Sequence, residues 1–310
     1  MPGKTSATIQ GTLVWVDREG NEQPIEEEAR SYDDPKISPD GTRVALAISA
    51  VDGNKDIWIY DLVRKIISKR LTRDESRDFF PIWTPDSKRI IFGSDREGAT
   101  SIFWKSADGS GEVEQVTSME DAWIWPQSLS NNENILFFGE WHSGGDNIGM
   151  VPMEGDRTPK LLLQEEYNEI MPQNSPDGQW LAYVSDESGQ NEVYIRRFPN
   201  IDSGGLEKVS TNGGIIPLWS PDGRELYYEN LDDEQMVVSV ETDPILKPGK
   251  PQRLFDNSSY TSWDIDPKGK RFLMIKEVEA TENDSAQGRP RKIIVVTNWF
   301  EELNEKAPVD

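Results

Sequence analysis

The sequence predicts an all-β fold, a six-bladed β-propeller of four-stranded antiparallel blades whose ring is closed by exchange of terminal strands. Three observations predict it. A turn box recurs through the 310 residues at Ser38 (SPDG), Thr84 (TPDS), Leu129 (LSNN), Ser175 (SPDG), Ser220 (SPDG) and Asp266 (DPKG), in steps of 46, 45, 46, 45 and 46 residues. Each box is followed by an apolar run of strand length. Two further strand-like runs complete most units, and four antiparallel strands about every 45 residues is the period of one propeller blade.

The box itself is turn chemistry. Proline pre-sets φ at the second position of a β-turn, aspartate bonds the backbone beyond it, and glycine accepts a left-handed conformation at little steric cost. It therefore joins the first and second strands of a blade, and its regularity marks architecture, not catalysis. A proline stands before the box at Pro35, Pro81, Pro126, Pro172 and Pro217, with Trp263 in its place in the sixth copy. The second strands read RVALAIS, RIIFGSD, NILFFGE, WLAYVSD, ELYYEN and RFLMIKE, all rich in β-branched and aromatic residues. Third strands follow a polar turn, as DIWIYDL, SIFWKSAD, NIGMVPM, EVYIRRFP and MVVSVET. Shorter fourth strands read SKRLT, VEQVT, PKLLL, EKVST and PQRLF.

The sixth unit lacks an outer strand of its own. The N-terminal GTLVWVDREGNEQPI offers a strand, a turn and a second short run, and exchange of terminal strands removes an open edge. Sequence alone does not decide which run closes the ring. The C-terminal KIIVVTNWF, Lys292 to Phe300, reads as another strand, and the polar stretch Val278 to Arg291 as a mobile loop. The whole chain, residues 1–310, is expected to be one domain, because closed all-β folds reach this size.

Composition narrows the function. Lys plus Arg total 33 against 56 Asp plus Glu, a formal charge of -23 that repels phosphate backbones and anionic lipid. Nucleic acid and membrane insertion are not expected, and a monomer is. No apolar run reaches the length of a membrane span, and the opening MPGKTSATIQ lacks the apolar core of a secretory signal. With no cysteine, thiolate metal sites and a cysteine nucleophile are excluded.

The box P-x-x-S-P-D-G, the turns SDREG at Ser94 and SDESG at Ser185, and the pair DIWIYDL…RLT resemble the WD40-like (PD40) repeats of TolB-type six-bladed propellers, from about Tyr32 to Phe300. GTLVWVDREGNEQPI, GGIIPLWSPDGRELYY and VVTNWFEEL are similar to the extracytoplasmic C-terminal propellers of bacterial serine/threonine kinases. The resemblance implies an extracytoplasmic, periplasmic setting and a recognition role. No kinase residues accompany it: Gly-rich loop, HRD and DFG are missing. Similar repeats form the propeller halves of prolyl-oligopeptidase-type and tricorn-type peptidases, yet no G-x-S-x-G elbow is present, and the single His142 lies in a turn. Oligogalacturonate lyases on such repeats use several histidines, which one histidine cannot reproduce.

No cofactor is called for. DGNKD, Asp52 to Asp56, spaces oxygen ligands as a calcium loop does, but Ile57 replaces the glycine and Val63 the glutamate of that motif, so a β-turn is the expected reading and calcium the alternative. The sharper site is the channel mouth, where innermost strands converge. Residues preceding the boxes place Tyr32, Asp33, Asp34, Asp78, Phe79, Trp123, Trp125, Glu169, Tyr260 and Trp263 around it. Aromatic faces supply contact area and carboxylates directional acceptors. The expected function is a non-enzymatic binding or sensor propeller recognising a protein, peptide or sugar there. The alternatives are a carbohydrate-directed or metal-dependent enzyme using the acidic mouth, and the accessory propeller of a peptidase.

Overall fold

A computed structural model describes residues 9–278, apart from 131–133, 143, 203 and 243–244. Among them every regular element is a strand, and antiparallel pairing gathers the strands into six sheets. The first blade shows the pattern, running outward through Tyr32–Ile37, Arg43–Ser49, Lys55–Asp61 and Ile66–Arg70. The innermost strands of the next four blades are Asp78–Trp83, Trp123–Leu129, Glu169–Asn174 and Ile215–Trp219. In the fifth blade both Lys247–Pro248 and Gln252–Asp256 pair with Glu234–Glu241.

The sixth blade settles which N-terminal run closes the ring: both do. Its order is Tyr260–Ile265, Arg271–Glu277, Gly11–Asp17 and Glu22–Arg30, so the N-terminal hairpin supplies the third and the outer strand. Gly11 to Asp17 pairs in unbroken register with Glu277 to Arg271. Four strands are therefore in place without KIIVVTNWF. That run, the loop beyond Val278 and the assignment of residues 279–310 to the same domain lie outside the described residues.

Apolar side chains fill six layers between blades. Leu13, Trp15, Tyr32, Val44 and Leu273 join the sixth blade to the first, and Ala45, Ile57, Trp83, Ile90 and Phe92 join the first to the second. Equivalent clusters follow around the ring. The second strand of each blade thus buries both faces, which explains why these strands read as near-continuous apolar runs instead of alternating. Polar links cross the same layers. Trp83 Nε1 donates to the Lys36 carbonyl at 2.8 Å, and Trp219 Nε1 to the Gln173 carbonyl at 3.1 Å, each one blade back. Replacing Trp83 by Phe is expected to cost about 1–2 kcal/mol in urea unfolding, because a buried carbonyl loses its donor.

The turn boxes behave as read. In the first, Gly41 has φ 71° and its N–H donates to the Ser38 carbonyl at 2.7 Å, while the Ser38 hydroxyl donates to Asp40 Oδ1 at 2.6 Å. The Arg43 N–H closes the turn on Ser38 Oγ at 3.0 Å. In the third blade the matching bond runs from the Ile135 N–H to Ser130 Oγ, so that turn begins at Ser130, one residue later than the alignment on Leu129. Successive boxes touch: a Cβ on Gly269 would lie 3.2 Å from Pro221, and one on Gly223 3.5 Å from Pro176. A ring of turns thus forms at the opposite end from the mouth.

Candidate functional site at the channel mouth

The residues expected to precede the innermost strands are instead part of them, and each innermost strand carries a bulge. Ladder register slips between Asp33 and Lys36, Phe79 and Ile82, Pro126 and Ser128, Ile170 and Gln173, Ile215 and Leu218, and Tyr260 and Ser262. In four blades the bulged residue before the proline has positive φ: Asp34 at 51°, Phe80 at 51°, Met171 at 55° and Ile216 at 53°. For a β-branched residue such as Ile216 this backbone is strained, by about 1–3 kcal/mol. Bulges re-aim side chains and are over-represented next to functional sites. Here they turn Asp34, Phe80, Met171 and Ile216 toward a shared cavity.

That cavity has a volume of about 780 Å³ and lies where the innermost strands meet. Of the predicted residues, Asp33, Asp34, Phe79, Trp123, Trp125 and Trp263 line it. Tyr32, Asp78, Glu169 and Tyr260 do not. Strand alternation is the reason for the first three, because neighbours along a strand face opposite sides. Tyr32 packs between blades one and six. Asp78 is fully buried, with Arg96 Nη2 at 2.9 and 3.1 Å from its two oxygens. Glu169 is buried beside Ser185 on the neighbouring strand. The Tyr260 hydroxyl donates to Glu22 Oε1 at 2.6 Å, at the outer side of the sixth blade.

Two glycines that carried no signal in the repeat make the aromatic wall. Phe79 lies opposite Gly93, and Trp125 opposite Gly139. A Cβ on Gly139 would meet the Trp125 indole at 2.7 Å, and one on Gly93 would meet Phe79 at 3.0 Å. Each ring therefore lies flat across the neighbouring strand. Phe79 and Phe80 meet edge to face at 5.3 Å, and Phe80 and Trp125 approach at 6.3 Å. Trp123 pairs with Trp141 at the rim, their rings 5.5 Å apart and both half exposed. Gly139→Val is expected to push the Trp125 indole out, with a red-shifted tryptophan emission and a stability loss of about 1–3 kcal/mol.

The polar sector sits on the first two blades. Lys55 pairs with Asp33 at 2.9 Å, Lys36 with Asp264 at 3.7 Å, and Arg77 with Asp95 at 2.8 Å. Among the described residues Asp34 has one hydrogen-bond donor, the Phe80 N–H 3.4 Å from its Oδ2, and burial together with Asp33 pushes its carboxyl up to about 6. Burial, Glu140 and Asp186 likewise raise Asp146. Elsewhere, burial lifts Glu169 and Glu229 to about 7.

Those two groups fix a pH dependence. Their native forms hold a proton to about 7, whereas an unfolded glutamate releases it near about 4.3. The native state binds more protons in that window, so their contribution to stability declines as pH rises through it. The thermal midpoint should rise from about pH 8 to about pH 5.5, and the Glu169→Gln, Glu229→Gln double variant should flatten that rise.

Among the described residues no group of three or more His, Asp or Glu side chains is placed to hold a metal ion. In DGNKD, Asp52 accepts the Asn54 N–H as a turn does, and Asp56 is tied to Arg70 at 2.5 Å. His142 is not in a turn as expected but ends the strand Ile135–His142, exposed, with its Nδ1 2.9 Å from the Asp121 carbonyl, and it does not line the cavity.

Comparison with known proteins agrees with the repeat. Residues 18–163 match PD40, the TolB beta propeller domain. Over 211 residues the chain is 30% identical to the uncharacterized peptidase YuxL of Bacillus subtilis, covering 53% of this chain and 32% of that protein. Over 154 residues it is 26% identical to the Tol-Pal system protein TolB of Helicobacter pylori, covering 48% of this chain and 35% of TolB. The chain thus spans about a third of the length of these curated relatives. The structure of a putative TolB from Agrobacterium tumefaciens superposes with a TM-score of 0.71 at 16% identity, over 88% of this chain and 100% of that one. The repeat and the six sheets identify the chain as a six-bladed β-propeller, and residues 18–163 of it are similar to the TolB-type PD40 domain.

Proposed function

We propose that this propeller is a non-catalytic recognition module that seats a segment of a protein partner in the mouth of its channel. The observation that carries the reading is the cavity of about 780 Å³, walled by Phe79, Phe80, Trp125, Met171 and Ile216 and edged by charged side chains. An apolar lining with a few placed polar groups suits an inserted peptide segment. The bulged strands hold this wall in place on a rigid ladder, so little ordering cost falls on the protein when it binds.

Similarity to a Tol-Pal system protein supports a protein partner and an extracytoplasmic setting. Fusion of the gene's full reading frame to a reporter active only after export tests the setting. The likeness to a named peptidase favours a second reading, in which the ring accompanies a hydrolase domain and filters what reaches it.

Selection from a random-peptide display library tests the first reading. Peptides are expected to be retained by the native chain and lost by Met171→Trp, which fills the cavity, and by Trp125→Ala, which removes its wall. Recovery of no peptide, or of peptides indifferent to both variants, would overturn it.

A further inference from the structure

Every cation on the cavity wall is already committed. Lys55 is held by Asp33, Lys36 by Asp264 and Arg77 by Asp95. Two carboxylates on the same wall, Asp34 and Asp146, have no cation within ion-pair distance among the described residues. Asp34 stands at a strained bulge, with its Oδ2 3.4 Å from the Phe80 N–H. A half-buried carboxylate with a single long hydrogen bond is poorly compensated.

The surface facing Asp34 is aromatic. Phe80, itself partly exposed, follows Phe79 and leans toward Trp125. Aromatic faces attract organic cations, and guanidinium groups more than strongly hydrated ions. A calcium ion requires six to eight oxygen ligands, which this wall does not assemble. Gln127 and Gln173 add neutral donors and acceptors to the same lining.

Resting on the recognition reading above, we infer that the cavity is a cation-selective subsite that takes a basic side chain, arginine or lysine, of the partner segment, with its charged head on Asp34 and its stem across Phe80 and Trp125. Asp146 adds to the negative field without forming the contact. The overall charge of -23 draws basic segments in the same direction.

Affinity should follow the ionisation of Asp34. Burial holds its carboxyl up to about 6, with Asp33 adding to the rise and Lys55 and Lys36 opposing it, and Arg77 and Asp146 also line the wall. Binding of a cation is therefore retained at neutral pH and lost as pH falls through about 6.

Calorimetric titration with N-acetyl-arginine amide, its lysine counterpart and the neutral norleucine amide tests the inference. The arginine compound is expected to bind, the lysine one more weakly, and the norleucine one about tenfold or more below arginine. Asp34→Asn should abolish that preference without moving the thermal midpoint downward, and Asp146→Asn should leave most of it. Equal binding of arginine and norleucine compounds, or an undiminished preference in Asp34→Asn, overturns the inference while leaving the recognition reading standing. So does failure of every compound when the display selection yields peptides without basic residues. Stoichiometric displacement of the arginine compound by calcium would reassign the subsite to a metal and overturn it as well.

Discussion

A chain lacking residues 9–30 is expected not to form the ring. The N-terminal hairpin supplies two of the four strands of the sixth blade, and Leu13, Val14, Trp15 and Val16 are buried in the layers on either side. Burying four such side chains contributes roughly 6–12 kcal/mol. That is comparable with the whole stability of a typical domain, about 5–15 kcal/mol. Deletion would also bare the edge of Arg271–Glu277, an apolar strand that pairs with another chain when unprotected. Circular dichroism and size exclusion should show an unfolded or aggregated product. A monomer with native β signal would contradict the closure described. Leu13→Ala, a milder change, should cost about 2–5 kcal/mol and leave the fold intact.

Arg96→Met is expected to destabilise the protein by about 3–5 kcal/mol, because it leaves the buried Asp78 carboxylate without its counter-charge. Asp78 is fully buried, and the Arg96 guanidinium reaches both of its oxygens while lying over Phe103 at 4.9 Å. Asp78→Ala should cost a similar amount, since it leaves the guanidinium uncompensated. The Asp78→Leu, Arg96→Met pair should recover most of the loss, as replacing a buried ion pair by apolar groups of similar size is often neutral. Urea unfolding of the three variants and the parent closes the cycle. Losses under about 1 kcal/mol for both single variants would show that the pair is solvated and Asp78 available to a ligand.

The contrast between Asp78 and Asp34 shows what the sequence could and could not say. Both precede a repeated turn box, and the turn chemistry of Ser38, Asp40 and Gly41 was readable because each residue does one local thing. Blade count followed from that local chemistry repeated. Which side of a strand a residue faces depends on register, and register here slips inside every innermost strand. A one-residue slip exchanges the cavity face for the layer between blades. Asp34 therefore reached the cavity and Asp78 did not.

The third blade carries the same lesson in its alignment. With its turn beginning at Ser130, Trp125 corresponds to Phe79 and not to Phe80, and both rings lie over a glycine. Gly93 and Gly139 sit inside apolar strands, where a glycine suggests close approach of another group. That cue was present but named no partner. Lys36, Lys55 and Gln173 come to the cavity from positions that no repeat comparison singles out, because only the closed ring brings them together.

On the proposed reading the channel mouth, and no other face, holds the partner segment. A crystal structure of the propeller with a display-selected peptide tests it most directly. Continuous peptide density is expected against Phe80, Trp125 and Met171, with a basic side chain on Asp34. Density along an outer strand, or on the ring of turn boxes around Gly223 and Gly269, with an empty mouth, would contradict it.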